Sequence, residues 1–488
     1  MAWAFGDSFD CYAAVADLAN GYWDSTTAVP TLTTGRFSGS QALAALNTGI
    51  YVTKSSGQND GVHHLVCAYY QSAAITGSTL GLYLQLLDGT TGQCCIVFRS
   101  DGAVLLTSGT PGGTVLATYS GAFPVINTWY AFEVEILISN TAGYVNIRKN
   151  GNNVNDFTSA TNLDTQNSAN AYANKLQVGL NSALGSRIDD LYWRSDASSV
   201  AWMGDIRCYT RAPASDASVQ FSRLPSLSAT IAQGATAAIN TSSAKFSKTI
   251  TAPCDGTIGT VALSLQTGLT GNMKCSIYAS VANAPAAVLA SATVLANPVN
   301  GTNTFTFPSP LSVTKGQTII VAFISDTASG TYNFAAGSTG FAQSGTSYAA
   351  FPTPSPSISA AGSPVYTVFF SLTQNYPMVS EAQQDATTSY VYDSVPGHAD
   401  LYGIAAIAST PLTTYAVTTR AYMIKSDAGT RTAAVQLRSG GTTDASPTIV
   451  LTPSNWQWAW KHYTSDPAGG AWTAAAVNVA QVGPVVIA

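Results

Sequence analysis

The stretch "INTWYAFEVEILISNTAGYVNIRKNG", residues 126–151, decides the fold class. Trp129 and Tyr130 open a run of apolar and β-branched residues, a small polar turn follows, and a second run ends in Asn150-Gly151, a pair that tolerates the positive φ of a tight turn. The same grammar recurs in "GLYLQLLDG" (81–89), "QCCIVFRSDGAVLLTSG" (93–109) and "KLQVGL" (175–180). Such spacing predicts antiparallel strands and hairpins throughout. Helical periodicity is nearly absent, and "SQALAALN" at 40–47 is the one fair candidate for a short helix.

Composition narrows the class further. The 488 residues allow about three domains. Charged residues make up 9%, against about a quarter in ordinary globular chains, so the solvated surface is built from Thr, Ser, Asn, Gln and Gly. With 20 Lys and Arg against 25 Asp and Glu, the net charge is -5 and no basic run faces a phosphate backbone; nucleic acid is not an expected partner. The apolar run "TIIVAFI" (318–324) falls far short of the roughly 20 residues that cross a bilayer, and the N-terminus lacks the pattern of a secretory signal. Seven cysteines without CxxC spacing predict buried free thiols in a chain assembled in the cytoplasm, although Cys254 and Cys275 could bridge neighbouring strands.

Shifts in composition suggest three units. A small-residue join at Ala197–Ala201 closes the first, residues 1–200. Composition shifts again near 224–235, where "LPSLSATIAQGA" begins a middle unit. The Pro-rich "FPTPSPSISAAGSP" (351–364) reads as a long loop before the last strand of that middle unit.

The 126–151 stretch, followed by "SRIDDLYWRSD" (186–196), resembles the core of a concanavalin A-like jelly roll of the LamG type. "GDIRCYTRAPASDASVQF" (204–221) with "AVTTRAYMIKSDAGTRTAAVQLRSGGT" (416–442) resembles a β-sandwich module found beside LamG-like domains in tailed-phage virion proteins, and the resemblance implies that residues 203–224 and 373–488 form one discontinuous β-sandwich with 225–372 inserted into one of its loops. Residues 225–372, with "GNMKCSIYAS" (271–280), resemble galactose-binding-like accessory jelly rolls. The resemblance implies a non-enzymatic phage structural protein located on the virion, in a tail fibre, tail tip or capsid decoration. It would act in particle assembly and adhesion as a homo-oligomer, of which a trimer is one form, together with other virion proteins. The alternative it leaves is a receptor-recognition protein that binds a host cell-surface glycan.

Several groups could carry chemistry. "AFGDSFD" (4–10) and "GQNDGVHH" (57–64) resemble the blocks of GDSL hydrolases, which would make Ser8, Asn59, Asp60 and His63 a catalytic set. The GxND-like and DxxH-like blocks share Asp60, however, and the chain between Ser8 and Asn59 is too short for the parallel α/β sheet such enzymes need. No catalytic residue is therefore expected, and the esterase is a second alternative only. Phe5 and Phe9 are instead expected to anchor a first strand, with Ser8 on the opposite face.

Asp189 and Asp190 adjoin in sequence, and strand alternation would send them to opposite faces, one bonded to a loop and one solvated. Some jelly rolls of this type bind calcium, but no acidic ligand set stands out, so no cofactor is expected. His398 lies at strand spacing from Asp400 and reads as a turn or interface residue, while "GTPGG" (109–113) reads as a hairpin loop. In "NWQWAWKHY" (455–463) alternation puts Trp456, Trp458 and Trp460 on one face, as a core, an interface or a platform for sugar rings.

Overall fold

The computed structural model describes residues 3–27, 30–45, 50–73, 77–123, 125–196, 201–223, 227–230, 235–238, 243–247, 249–252, 256–314, 316–328, 331–344, 348–352, 358–364, 366–372, 375–381, 383–385, 389–407 and 413–488. It is all-β, with several antiparallel sheets. Two compact units divide the chain: Met1–Gln220, Val379–Thr388 and Asp393–Ala488 form the first, Phe221–Met378 and Ser389–Tyr392 the second.

The first unit begins with a two-sheet sandwich. Its strands are β1 (Trp3–Asp7), β2 (Ser25–Thr27), β3 (Pro30–Thr34), β4 (Gln41–Ala45), β5 (Ile50–Asp60), β6 (Val62–Tyr70), β7 (Leu80–Asp88), β8 (Thr91–Arg99), β9 (Val104–Ser108), β10 (Val115–Tyr119), β11 (Trp129–Leu137), β12 (Tyr144–Lys149), β13 (Phe157–Thr158), β14 (Ala173–Leu180) and β15 (Arg187–Asp196). One sheet runs β13-β12-β11-β6-β15-β4-β3 with β1 added on β15; the other runs β10-β9-β8-β7-β14-β5-β2. Alternation fills the space between them. Phe132, Val134 and Ile136 of β11 share a core with Leu82, Leu84, Ile96 and Phe98 of the opposite sheet, each buried side chain contributing about 1.5–3 kcal/mol. Asn150 and Gly151 both take positive φ, as their turn requires.

The helix expected at 40–47 is a strand: residues 41–45 form β4, hydrogen-bonded between β3 and β15, and residues 46 and 47 lie outside the described residues. So short a segment gains little from helical hydrogen bonds, whereas β3 pairs with all five of its residues and β15 with two. An α-helix forms instead at Ala474–Val479, where the Thr473 side chain accepts from the Ala476 amide. Residues 109–113 form the loop between β9 and β10, as expected.

The rest of the first unit is a sheet in which Pro213–Ser218, Leu401–Ile404, Gln481–Val486, Arg431–Ser439 and Thr442–Ala445 lie in that order, plus a ribbon of Val417–Met423 and Gln457–Tyr463. The two halves share a core of Leu437, Tyr463, Trp472 and Val477. In the second unit, most described strands form one antiparallel sheet whose long members include Gly256–Thr267, Asn272–Val281, Gly301–Val313 and Thr318–Ser325, and a two-stranded ribbon stands apart from it. Phe246, Tyr278, Ile320, Ile324 and Phe351 pack in its core. Its entry and exit lie side by side: Asn375 Nδ2 donates to the Phe221 carbonyl at 2.8 Å, and Ser222–Arg223 pairs with Val391–Tyr392.

The join at 197–200, much of the Pro-rich loop (353–357) and Cys254 lie outside the described residues, so the Cys254–Cys275 bridge does too. Cys275 is buried, and the six described cysteines are free thiols.

Candidate functional site

The residues of the esterase reading are not brought together. Ser8 Oγ bonds Thr210 Oγ1 at 2.8 Å. His63 sits in the core, its ring nitrogens facing the Asp60 carbonyl (2.9 Å) and the Trp193 indole N–H (3.2 Å). Asp60 accepts from Ser195, and Asn59 from Asn174. The pairing explains the separation: Trp3 lies opposite Ser195, and Ser195 opposite His63, so Ser8, five residues further along, is about 16 Å away down the strands.

Asp7 is the residue of "AFGDSFD" that organises its surroundings. Buried at 1% exposure, it accepts from Tyr12 Oη (2.6 Å), Trp23 Nε1 (2.8 Å) and the Phe9 amide (3.0 Å). The last bond closes a turn in which Phe9 adopts φ 59, so Phe9 reaches the core beside Phe5 although β1 ends at Asp7. Ser8 is buried rather than placed on an open strand face.

Of the tryptophans of 455–463, Trp458 and Trp460 pack onto the jelly roll. Trp458 Nε1 donates to the Asp17 carbonyl at 3.0 Å and Trp460 Nε1 to the Gly21 carbonyl at 3.0 Å. Trp456 stacks on Tyr422 at 5.3 Å, and the Lys54 ammonium lies 4.3 Å from the Trp460 ring. Arg420, opposite Trp460 on the ribbon, reaches Asp7 Oδ1 (3.4 Å) and Tyr12 Oη (3.1 Å) and covers the Tyr22 ring at 4.3 Å. Trp458, at 6% exposure, and the Trp460 indole N–H are thus committed to an internal interface, while Trp456 stacks on Tyr422 of the same ribbon. His398 pairs with Asp393 (2.9 Å), not Asp400, whose carboxylate takes the Gln220 amide and the Tyr402 hydroxyl.

The pair Asp189 and Asp190 departs most from expectation. Asp189 lies opposite Ala68, yet the next pair on these strands is Tyr192 with Val66, so β15 carries one extra residue. That residue is a β-bulge at Asp190, which adopts φ 50. Both carboxylates therefore line one pocket with Asp10, Ser40, Tyr209 and Arg211. Neither is solvated, at 1% and 2% exposure.

Asp189 Oδ2 accepts from the Arg36 amide at 2.7 Å, Asp190 Oδ1 from the Cys208 amide at 2.8 Å, and Asp10 Oδ1 from the Gln41 amide at 2.7 Å. Burial pushes all three carboxyl groups above the usual range, and the neighbouring Asp189 charge raises Asp190 further. Gly35 makes the approach feasible: a Cβ there would stand 2.6 Å from Asp189 Oδ2. Arg36 meanwhile holds Asp205 with two bonds of 2.6 and 2.5 Å. The Arg207 guanidinium lies 3.7 Å from the Phe37 ring centroid and 4.2 Å from that of Tyr209. Among the described residues no cluster of His, Cys, Asp and Glu is arranged to hold a metal ion. Tyr209, Arg207 and Arg211 escaped notice in the sequence, although a lone arginine on either side of a tyrosine in "RCYTR" was the available signal.

No family model matches the chain, and no curated protein sequence matches it. Solved structures similar to parts of it include jelly-roll carbohydrate-binding domains. Domain 4 of AbnA, an extracellular GH43 arabinanase from Geobacillus stearothermophilus in complex with arabinotriose, is 16% identical, covering 40% of this chain and 95% of that one at a TM-score of 0.27. The carbohydrate-binding module CBM66 from Bacillus subtilis is 10% identical, covering 36% and 96% at 0.25. A conserved carbohydrate esterase from the Shiga toxin-encoding bacteriophage phi24B is 12% identical, covering 39% and 99% at 0.26.

Proposed function

We propose that the protein is a non-enzymatic structural and adhesive component of a tailed-phage particle, whose jelly roll engages glycans. The observation that carries the adhesive part is the pocket on the β15 bulge: convergent carboxylate and guanidinium groups beside an aromatic ring, the lining that orients sugars. The interface around Asp7, Arg420 and Trp458 supports a scaffolding role, because it fixes the jelly roll to the following sandwich through buried polar contacts. The particle itself is proposed from the resemblance of residues 204–221 and 416–442 to tailed-phage modules. Self-association, with a trimer as one form, belongs to the same reading. A receptor-recognition protein is the second reading, favoured by the same pocket. Immunogold labelling of purified particles tests the structural proposal: regular decoration of tail or capsid is expected, and unlabelled particles would refute it.

A further inference from the structure

Two residues that line the pocket, a carboxyl and a guanidinium, each carry a buried polar atom without a partner. Asp190 Oδ2 is buried without a hydrogen bond, and the Arg36 guanidinium stands off at 3.7 Å. Arg211 Nε is also buried and unpaired. Folded proteins pair nearly all their buried polar groups, so an unpaired one is a candidate for a bond to water or to a ligand. A carboxyl and a guanidinium lining one pocket restrict what that ligand can be. A cation would suit Asp190 but meet Arg207 and Arg211; an anion would suit Arg211 but meet Asp10, Asp189 and Asp190. An alcohol serves both, because its oxygen donates and accepts. Tyr209, at 39% exposure, adds an aromatic surface at the same place.

We infer that this pocket is a saccharide subsite that takes a neutral sugar through two hydroxyl groups, one bonded to Asp190 Oδ2 and one accepting from Arg211 Nε. The inference rests on the adhesive reading and names the ligand class within it. The site belongs to the loops after β1 and β3 and the segment after β15, and it owes its acceptor to the bulge. It uses none of the tryptophans of 455–463.

Titration of the full chain with glucose, galactose and mannose, set against glucosamine as the cation and glucuronate as the anion, tests it by ligand-observed NMR and calorimetry. At least one neutral hexose is expected to bind with millimolar affinity. That affinity should fall about tenfold or more in Asp190→Asn and in Tyr209→Ala, and stay unchanged in Trp456→Ala. The Asp190→Asn change keeps a side-chain oxygen to accept from the Cys208 amide, so the bulge is retained; matching melting curves in acid check this. Tighter binding of glucosamine or glucuronate would overturn the neutral ligand class. Sugar binding that is equal in all variants would overturn the pocket and leave the adhesive reading standing. Binding of none of the five sugars, together with no retention of the chain on any immobilised glycan, would remove both.

Discussion

Arg420 Nη1 lies 3.4 Å from Asp7 Oδ1 across 413 positions of sequence; the Asp7 side chain is removed from water and that of Arg420 is 14% exposed. A guanidinium held this way is stable only because its surroundings supply partners: Asp7 and the Tyr12 hydroxyl on its edge, and the Tyr22 ring on its face. Losing either charge strands the other. Arg420→Met is expected to cost about 3–5 kcal/mol in chemical denaturation. The double variant with Asp7→Asn should recover part of that loss, and strictly additive effects would show that the two groups are not coupled.

Trp458→Ala opens a cavity between ribbon and jelly roll and removes the bond to the Asp17 carbonyl. A loss of about 3–5 kcal/mol is expected, with a much smaller one for Trp456→Ala, whose ring packs only from outside the strand. Comparable losses for both in thermal melts would show that the indoles are used differently.

Ser8→Ala removes the hydrogen bond to Thr210 and a longer one from the Asp10 amide at 3.5 Å, and should destabilise by about 1 kcal/mol. It should leave any hydrolysis of aryl esters by the preparation unchanged. Activity that disappears with this substitution would restore the esterase.

Burial depresses His63, His64 and His462 to about 4. The imidazoles are neutral in the folded chain, while unfolded histidine takes a proton near 6.5. Their contribution to stability is therefore complete above about pH 6.5 and is lost as pH falls toward 4. For the bulge carboxyl the sign is opposite. Asp190 is raised, so ionising it costs stability as pH rises above the unfolded carboxylate range. Asp190→Asn should match the parent in acid and melt higher at neutral and alkaline pH. Imidazole proton shifts followed by NMR, with melts of both proteins across pH, check the two trends.

Much of this fold could be read locally. Strand alternation in 126–151 and 186–196 placed the sandwich, and alternation in 455–463 put Trp458 and Trp460 on one face. Two features could not be read this way. The partner of that face is the segment around Asp17 and Gly21, some 440 positions away, and only a lone arginine amid apolar residues in "AVTTRAYM" hinted at a buried charge. The pairing of Asp189 with Asp190 depends on one inserted residue in a ladder, which reverses the alternation rule at that point. Helix content was misplaced for a related reason: pairing with β3 and β15 decided the state of residues 41–45, not their own propensity.

The central claim is that this chain adheres to glycans without chemical turnover. Its most direct test is a glycan array probed with the full chain, each signal being challenged by free sugar. Retention on at least one glycan, abolished by competing sugar and leaving that glycan intact by mass spectrometry, is the predicted result. No retention on any glycan, or cleavage of the one retained, would contradict it.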